Sequence, residues 1–243
     1  MSPPPSRRSI LAGAASLGLA GTARAAGPAG FGPLGRPSWS GDSLQAAAAA
    51  KGLTYGCEVP FHRFDATPAY REAVARECGI LVCGTEMKME EVLPAPGRTD
   101  FARGDAILRF ARGNGQRMRG HTLVWHAALP PWVGPLLGRA SAVQAEDFMR
   151  RWIETVAGHY RGQIVAWDVV NEILGNEADP DRGGLRDSPW LAAIGPGYVD
   201  LAFRILHETD PAAAGTWNED AVEQGVPWME AKRTKVLRRL EAM

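Results

Sequence analysis

Five short runs of branched and aromatic residues alternate along this chain with longer runs of helical period, and this alternation constrains the fold more than any other feature. The short runs, 53–59, 80–83, 118–126, 164–171 and a weaker 214–218, read as strands. The intervening segments carry helix punctuation. Thr67-Pro68 supplies a cap and a first-turn proline for a helix over 69–77, and Gly113-Asn114-Gly115 stops the helix that holds Ile107, Leu108 and Ala111. Ser141 and Gln144 form a capping box ahead of an apolar face of Phe148, Trp152, Ile153, Val156 and Tyr160. Val199, Ala202, Phe203 and Leu206 mark the next helix, ended by Asp210-Pro211, and Trp228, Val236, Leu237 and Leu240 mark the last. The alanine run 46–50 reads as a short helix. Repeated strand–helix units imply an α/β protein with a parallel sheet. Five units fit either a doubly wound open sheet or an arc of a (β/α)8 TIM barrel, and periodicity does not separate the two.

The chain is 45% apolar and 22% charged, ordinary for one globular domain with a sizeable core. Its first stretch differs. "MSPPPSRRSILAGAASLGLAGTARA" has the pair Arg7-Arg8, a short weakly apolar run, and Ala23-Arg24-Ala25 in the small-x-small pattern of a cleavage site. Residues 1–25 therefore read as a twin-arginine export signal, with a domain over 26–243 delivered to the periplasm or medium. A membrane span needs about 20 strongly apolar residues, which this run lacks. The 27 basic and 27 acidic side chains balance, so losing Arg7, Arg8 and Arg24 leaves about −3. No basic face for nucleic acid, no membrane contact after cleavage, and a monomer are expected. Cys57, Cys78 and Cys83 match no zinc spacing and are expected as buried thiols, in preference to a Cys57–Cys83 bridge.

Parallel α/β folds place function at the C-terminal strand ends, and here those ends are polar: "GTEMKMEE", "GHTLVWHAALPPW", "DVVNE" and "WNED". Strict alternation puts His121, Leu123 and Trp125 on one strand face, and Asp168, Val170 and Glu172 on one face of the next. Asp168 is then expected to pair with His121 and orient it toward Glu172. A lone His or Asp in a strand is more often a satisfied core group. Glu172, Asn171, His121, Trp125, His126 and Lys88 together are costly to explain as packing. Neither a His-x-His pair nor a His-Glu-x-x-His helix is present, so no metal is expected, and no phosphate loop opens a helix. Carboxylate, amide, imidazole and indole suit a sugar: indoles stack on it, amides and imidazoles bind hydroxyls, and a carboxylic acid can protonate a glycosidic oxygen.

"GHTLVWH", "LPPW", "AWDVVNE", "LRDSPW" and "NED" followed by "VE", in that order, resemble glycoside hydrolase family 10, the endo-β-1,4-xylanases. The resemblance covers roughly 53–243. It implies a (β/α)8 barrel with about the first five units present, hydrolysis of xylan with retention, and no cofactor. It matches Glu172 to the general acid/base, Asn171 to the amide on the sugar 2-hydroxyl, and His121 and Trp125 to residues around that sugar. Lys88 matches a lysine on the non-reducing side, and Asp168 an aspartate near the histidine. His126, Trp132 and Asn218 join the expected substrate contacts.

Departures accompany these matches. Gly84-Thr85 stand where the family has a Glu-Asn pair, Met89 where it has Trp, Ala128 where it has Gln, and Asp220 where it has Tyr. Each hydrogen bond lost would weaken binding by about 0.5–1.5 kcal/mol. The resemblance also places the nucleophile on a seventh strand, beyond the five units present, so a truncated xylanase without an identified nucleophile is expected. Glu219 and Asp220 are the remaining carboxylates near a strand end. The alternative from another class is an exported, noncatalytic carbohydrate-binding protein on an open α/β sheet.

Overall fold

The computed structural model describes residues 41–175, 184–223 and 225–242; the expected signal, 1–25, lies outside them. Among the described residues five strands form one parallel sheet in the order β1-β2-β3-β4-β5: β1 Gly56–Val59, β2 Ile80–Cys83, β3 Arg117–Trp125, β4 Ala166–Asn171 and β5 Ala214–Asn218. Each strand pairs with the next in sequence. A doubly wound sheet reverses its strand order partway, so this unreversed order is the winding of a barrel.

The helices are α1 Leu44–Ala49, α2 Phe61–Ala66, α3 Pro68–Glu77, α4 Met89–Val92, α5 Ala102–Gly113, α6 Val133–Leu137, α7 Ala142–His159, α8 Pro189–Ile194, α9 Tyr198–Thr209 and α10 Pro227–Ala242. The capping box opens α7: Gln144 N donates to Ser141 Oγ at 3.3 Å, and Ser141 N donates to Gln144 Oε1 at 2.9 Å. Two of the helix's otherwise unpartnered first-turn donors are thereby satisfied. Its inner face buries Phe148, Met149, Trp152, Ile153 and Val156, each contributing roughly 1.5–3 kcal/mol of apolar burial. Trp152 Nε1 donates to the Leu123 carbonyl at 2.5 Å, fixing α7 against β3.

Close approach requires a glycine at position 120. A Cβ on Gly120 would stand 2.1 Å from Trp167 Cε3, so β3 is bare where the fully buried Trp167 of β4 lies across it. Trp167 and Val169 belong to the helix side of the sheet, since Val169 and Phe203 of α9 both crowd the position where Gly215 would carry a Cβ.

The last helix, α10, contains the four residues that mark it in the sequence, but they do not form its inward face. Trp228, Leu237 and Leu240 are exposed, whereas Met229 and Lys232 are buried and Val236 is partly buried. What α10 turns inward is an ion pair: Lys232 Nζ lies 2.8 Å from Glu219 Oε1 and also contacts Asp220. Cys57, Cys78 and Cys83 are free thiols, the last two buried. No described helix is long and apolar enough to cross a membrane.

Candidate active site at the strand ends

Strict alternation fails here, and its failure builds the site. His121 stands opposite Asp168 and Thr216, and the next paired row holds Val124, Val170 and Trp217. For the same advance β3 takes three steps, β4 two and β5 one. Such irregularities re-aim side chains at functional strand ends. Thr216 and Asn218 are two residues apart on β5; Thr216 Oγ1 donates to Asp168 Oδ1 at 2.8 Å, and Asn218 Nδ2 donates to Asn171 Oδ1 at 2.7 Å. Asp168 and Asn171 therefore share a face although they are three positions apart. The expected set of Asp168, Val170 and Glu172 on one face is corrected accordingly.

The expected pair of Asp168 and His121 is present, with Nδ1 2.9 Å from Oδ2. Asp168, only 4% exposed at its side chain, also receives Arg119: Nε lies 3.1 and 3.2 Å from its two oxygens, and Nη2 contacts Oδ1. Burial pushes this carboxyl up, but the hydrogen bonds from His121 and Arg119, the Arg119 charge and Thr216 outweigh it and hold it below its usual value. Arg119 escaped the sequence reasoning. Its signal was its position two residues before His121, on the same strand face.

The residue after β4 is Glu172, whose φ of 50° is left-handed and unusual for a side chain of this size. Two hydrogen bonds hold it there: Glu172 N donates to the Asn218 carbonyl at 2.9 Å, and Arg186 Nε donates to the Glu172 carbonyl at 2.9 Å. Backbone strain of this kind persists only where neighbours over-determine it. Trp125 Nε1 donates to Glu172 Oε2 at 3.1 Å, so indole, not the expected imidazole, is the group bonded to this carboxylate. Among the described residues Oε1 accepts no hydrogen bond. Trp125 is itself fixed by Trp190 Nε1, which donates to its carbonyl at 2.9 Å, and Lys88 Nζ lies 4.8 Å from its ring centroid.

His126 shares a small cavity with Trp125, Asn171, Glu172 and Arg186. Burial lowers its pKa, aided by the Arg186 charge and opposed by Glu172 and Asp220, which keeps the ring neutral near pH 7. Trp132 is not brought to Glu172. It packs edge-on against Phe148 and lines a separate groove of about 570 Å³ with Leu136, Arg139 and Arg151, which shares no residue with the Glu172 cavity. Glu219 is a brace: its side chain is 5% exposed, its Oε2 accepts from Trp217 Nε1 at 3.0 Å and Leu174 N at 3.3 Å, and Lys232 holds its other oxygen. Burial nevertheless pushes its carboxyl up. Among the described residues no group of three or more His, Cys, Asp or Glu is placed to hold a metal ion.

The sequence matches the family model for glycosyl hydrolase family 10 over residues 43–243. It is 36% identical over 172 residues to a β-1,4-xylanase of Dictyoglomus thermophilum, covering 71% of this chain and 46% of that protein. It is 33% identical over 195 residues to an endo-1,4-β-xylanase A of Caldicellulosiruptor sp. strain Rt8B.4, covering 77% and 28%. Xylanase 10B from Thermotoga petrophila RKU-1, solved with xylobiose, superposes with a TM-score of 0.70 at 29% identity, over 82% of this chain and 59% of that one. The chain thus spans less than half the length of these curated relatives, and its five strands are an arc of the (β/α)8 barrel.

Proposed function

Because the chain belongs to glycosyl hydrolase family 10, we propose that its site takes xylan, the β-1,4-linked xylose polymer, and supplies the acid half of its hydrolysis, with Glu172 poised to give a proton to the glycosidic oxygen. The observation that carries this reading is the Glu172 carboxylate held through Oε2 by Trp125 at the mouth of the sheet, with Oε1 engaged by no described residue. Oε1 is the oxygen we assign to proton transfer. Asn218 fixes the Asn171 amide by its oxygen, which leaves the amide nitrogen to donate to a sugar hydroxyl. Asp168 engages His121 Nδ1, which leaves Nε2 for another hydroxyl. Trp125 offers an aromatic face, while Lys88, His126 and Asn218 complete the polar lining.

Retaining hydrolysis needs a second carboxylate about 5–5.5 Å from the acid. Glu219 and Asp220 are both held by Lys232, and we assign the nucleophile to neither. On this reading the described residues supply the acid half of the chemistry and a saccharide site. The same observation favours a second reading, a noncatalytic carbohydrate-binding protein. Export through residues 1–25 and action as a monomer belong to the proposal.

An aryl xylobioside with a good leaving group tests it, because such a substrate needs little acid assistance and depends chiefly on the nucleophile. The purified 243-residue chain should release aryl alcohol near background, unchanged by Glu172→Gln, while calorimetry detects xylo-oligosaccharide binding. Brisk release with retained configuration would show a nucleophile within this chain. Absence of saccharide binding would remove the reading altogether.

A further inference from the structure

The cysteines carry an inference separate from the saccharide site. Cys57 lies on β1 and Cys78 caps the C-terminus of α3, and their sulfurs stand 3.4 Å apart. We infer that Cys57 and Cys78 form an intramolecular disulfide when the folded protein meets a small oxidised disulfide.

The backbone on both sides of the pair is already fixed. Gly79 N donates to the Tyr55 carbonyl at 2.8 Å, and the buried Gln116 amide donates to the carbonyls of Val74 at 2.8 Å and Cys78 at 2.7 Å. Closing the sulfurs to the bonding distance of about 2.05 Å therefore asks for a shift of about 1.4 Å, within the reach of side-chain rotation. Cys83 is the worse partner. It is buried at 1% exposure on β2, and β1 meets it through Val59, two residues beyond Cys57.

Access sets the order of events. Cys57 is half-buried and Cys78 is 3% exposed, so the thiolate of Cys57 attacks the oxidant's disulfide first, forming a mixed disulfide and releasing one small thiol. Cys78, as its thiolate, then attacks the Cys57 sulfur and expels the second small thiol. The two protein thiols lose two electrons and two protons, and the oxidant's disulfide becomes two thiols. The bridge ties β1, paired on one side only among the described residues, to the end of α3 and encloses α2 and α3 in one loop.

The test incubates the folded chain with oxidised glutathione, traps residual thiols with iodoacetamide and maps peptides by mass spectrometry without reduction. The expected result is a Cys57–Cys78 cross-link with Cys83 reduced, and a Tm about 5–10 °C above that of the dithiothreitol-treated protein. Cys83→Ser should keep that shift, and Cys78→Ser should abolish it and leave glutathione on Cys57. A Cys57–Cys83 cross-link, or persistent glutathionylation of wild-type Cys57 without a bridge, would overturn the inference. Peptide mapping of the wild type decides the matter even if a serine variant fails to fold.

Discussion

Replacing Asp168 with asparagine keeps the side-chain volume and an acceptor for Thr216 but removes the charge that Arg119 and His121 address. Breaking a buried pair by removing one partner costs about 3–5 kcal/mol. Arg119 is 38% exposed and regains water when its partner is lost, which lowers the expected cost to about 2–3 kcal/mol. With a urea m-value of about 2 kcal/mol/M, the unfolding midpoint of Asp168→Asn should fall by about 1–1.5 M at pH 7. The pH dependence has a fixed sign. A carboxyl held below its ordinary value stabilises the fold above the unfolded pKa of about 3.9, and that contribution is lost as pH falls through the lower folded value. The gap between wild type and variant should therefore be full from pH 7 to pH 5 and shrink below about pH 4. Urea titrations by tryptophan fluorescence at several pH values measure it. A variant within about 0.5 kcal/mol of wild type at pH 7, or a gap that widens on acidification, would refute the reasoning.

Gly120→Ala should cost about 3 kcal/mol, because the added methyl would stand 2.1 Å from the buried Trp167 ring; a Tm within 2 °C of wild type, against an expected fall of about 6–12 °C, would contradict it. Lys232→Met should destabilise by about 3 kcal/mol by leaving the Glu219 carboxylate buried and unpaired, and adding Glu219→Gln should recover most of the loss. Equal instability of single and double variants in chemical denaturation would assign Lys232 another role. Replacing Arg7 and Arg8 together by lysine should abolish export of the chain, as followed by fractionation, and undiminished export would remove the twin-arginine reading.

The positions of the strands and of the longer helices were legible because hydrophobic period and caps are local. β2 and β5 match their expected bounds, and Ser141 with Gln144 forms the box its spacing implied. The contact between Asp168 and His121 was also legible, since adjacent parallel strands bring such residues together. The face shared by Asp168 and Asn171 was not, because a period of two assumes a constant advance per residue and the register shifts violate it. That Trp132 lies in a separate groove, edge-on to Phe148, was not legible either, because residue type alone does not say which cleft an indole lines. The last helix was legible from Trp228, Val236, Leu237 and Leu240, but the face it turns inward was not, because Lys232 meeting Glu219 chooses that face.

The unequal steps of β3, β4 and β5 between shared rows also set which kinds of genetic change this region can absorb. Deleting one residue between His121 and Val124 would turn Trp125 away from Glu172, and deleting Val169 would turn Asn171 away from Asn218, with every functional side chain still encoded. Conservative exchange of Leu123 or Val169 for another apolar residue changes only packing, at a cost of about 1.5 kcal/mol or less. Homologous copies drifting apart should therefore accumulate substitutions at these positions long before they accumulate length changes, and loops that follow the strands should absorb the insertions instead.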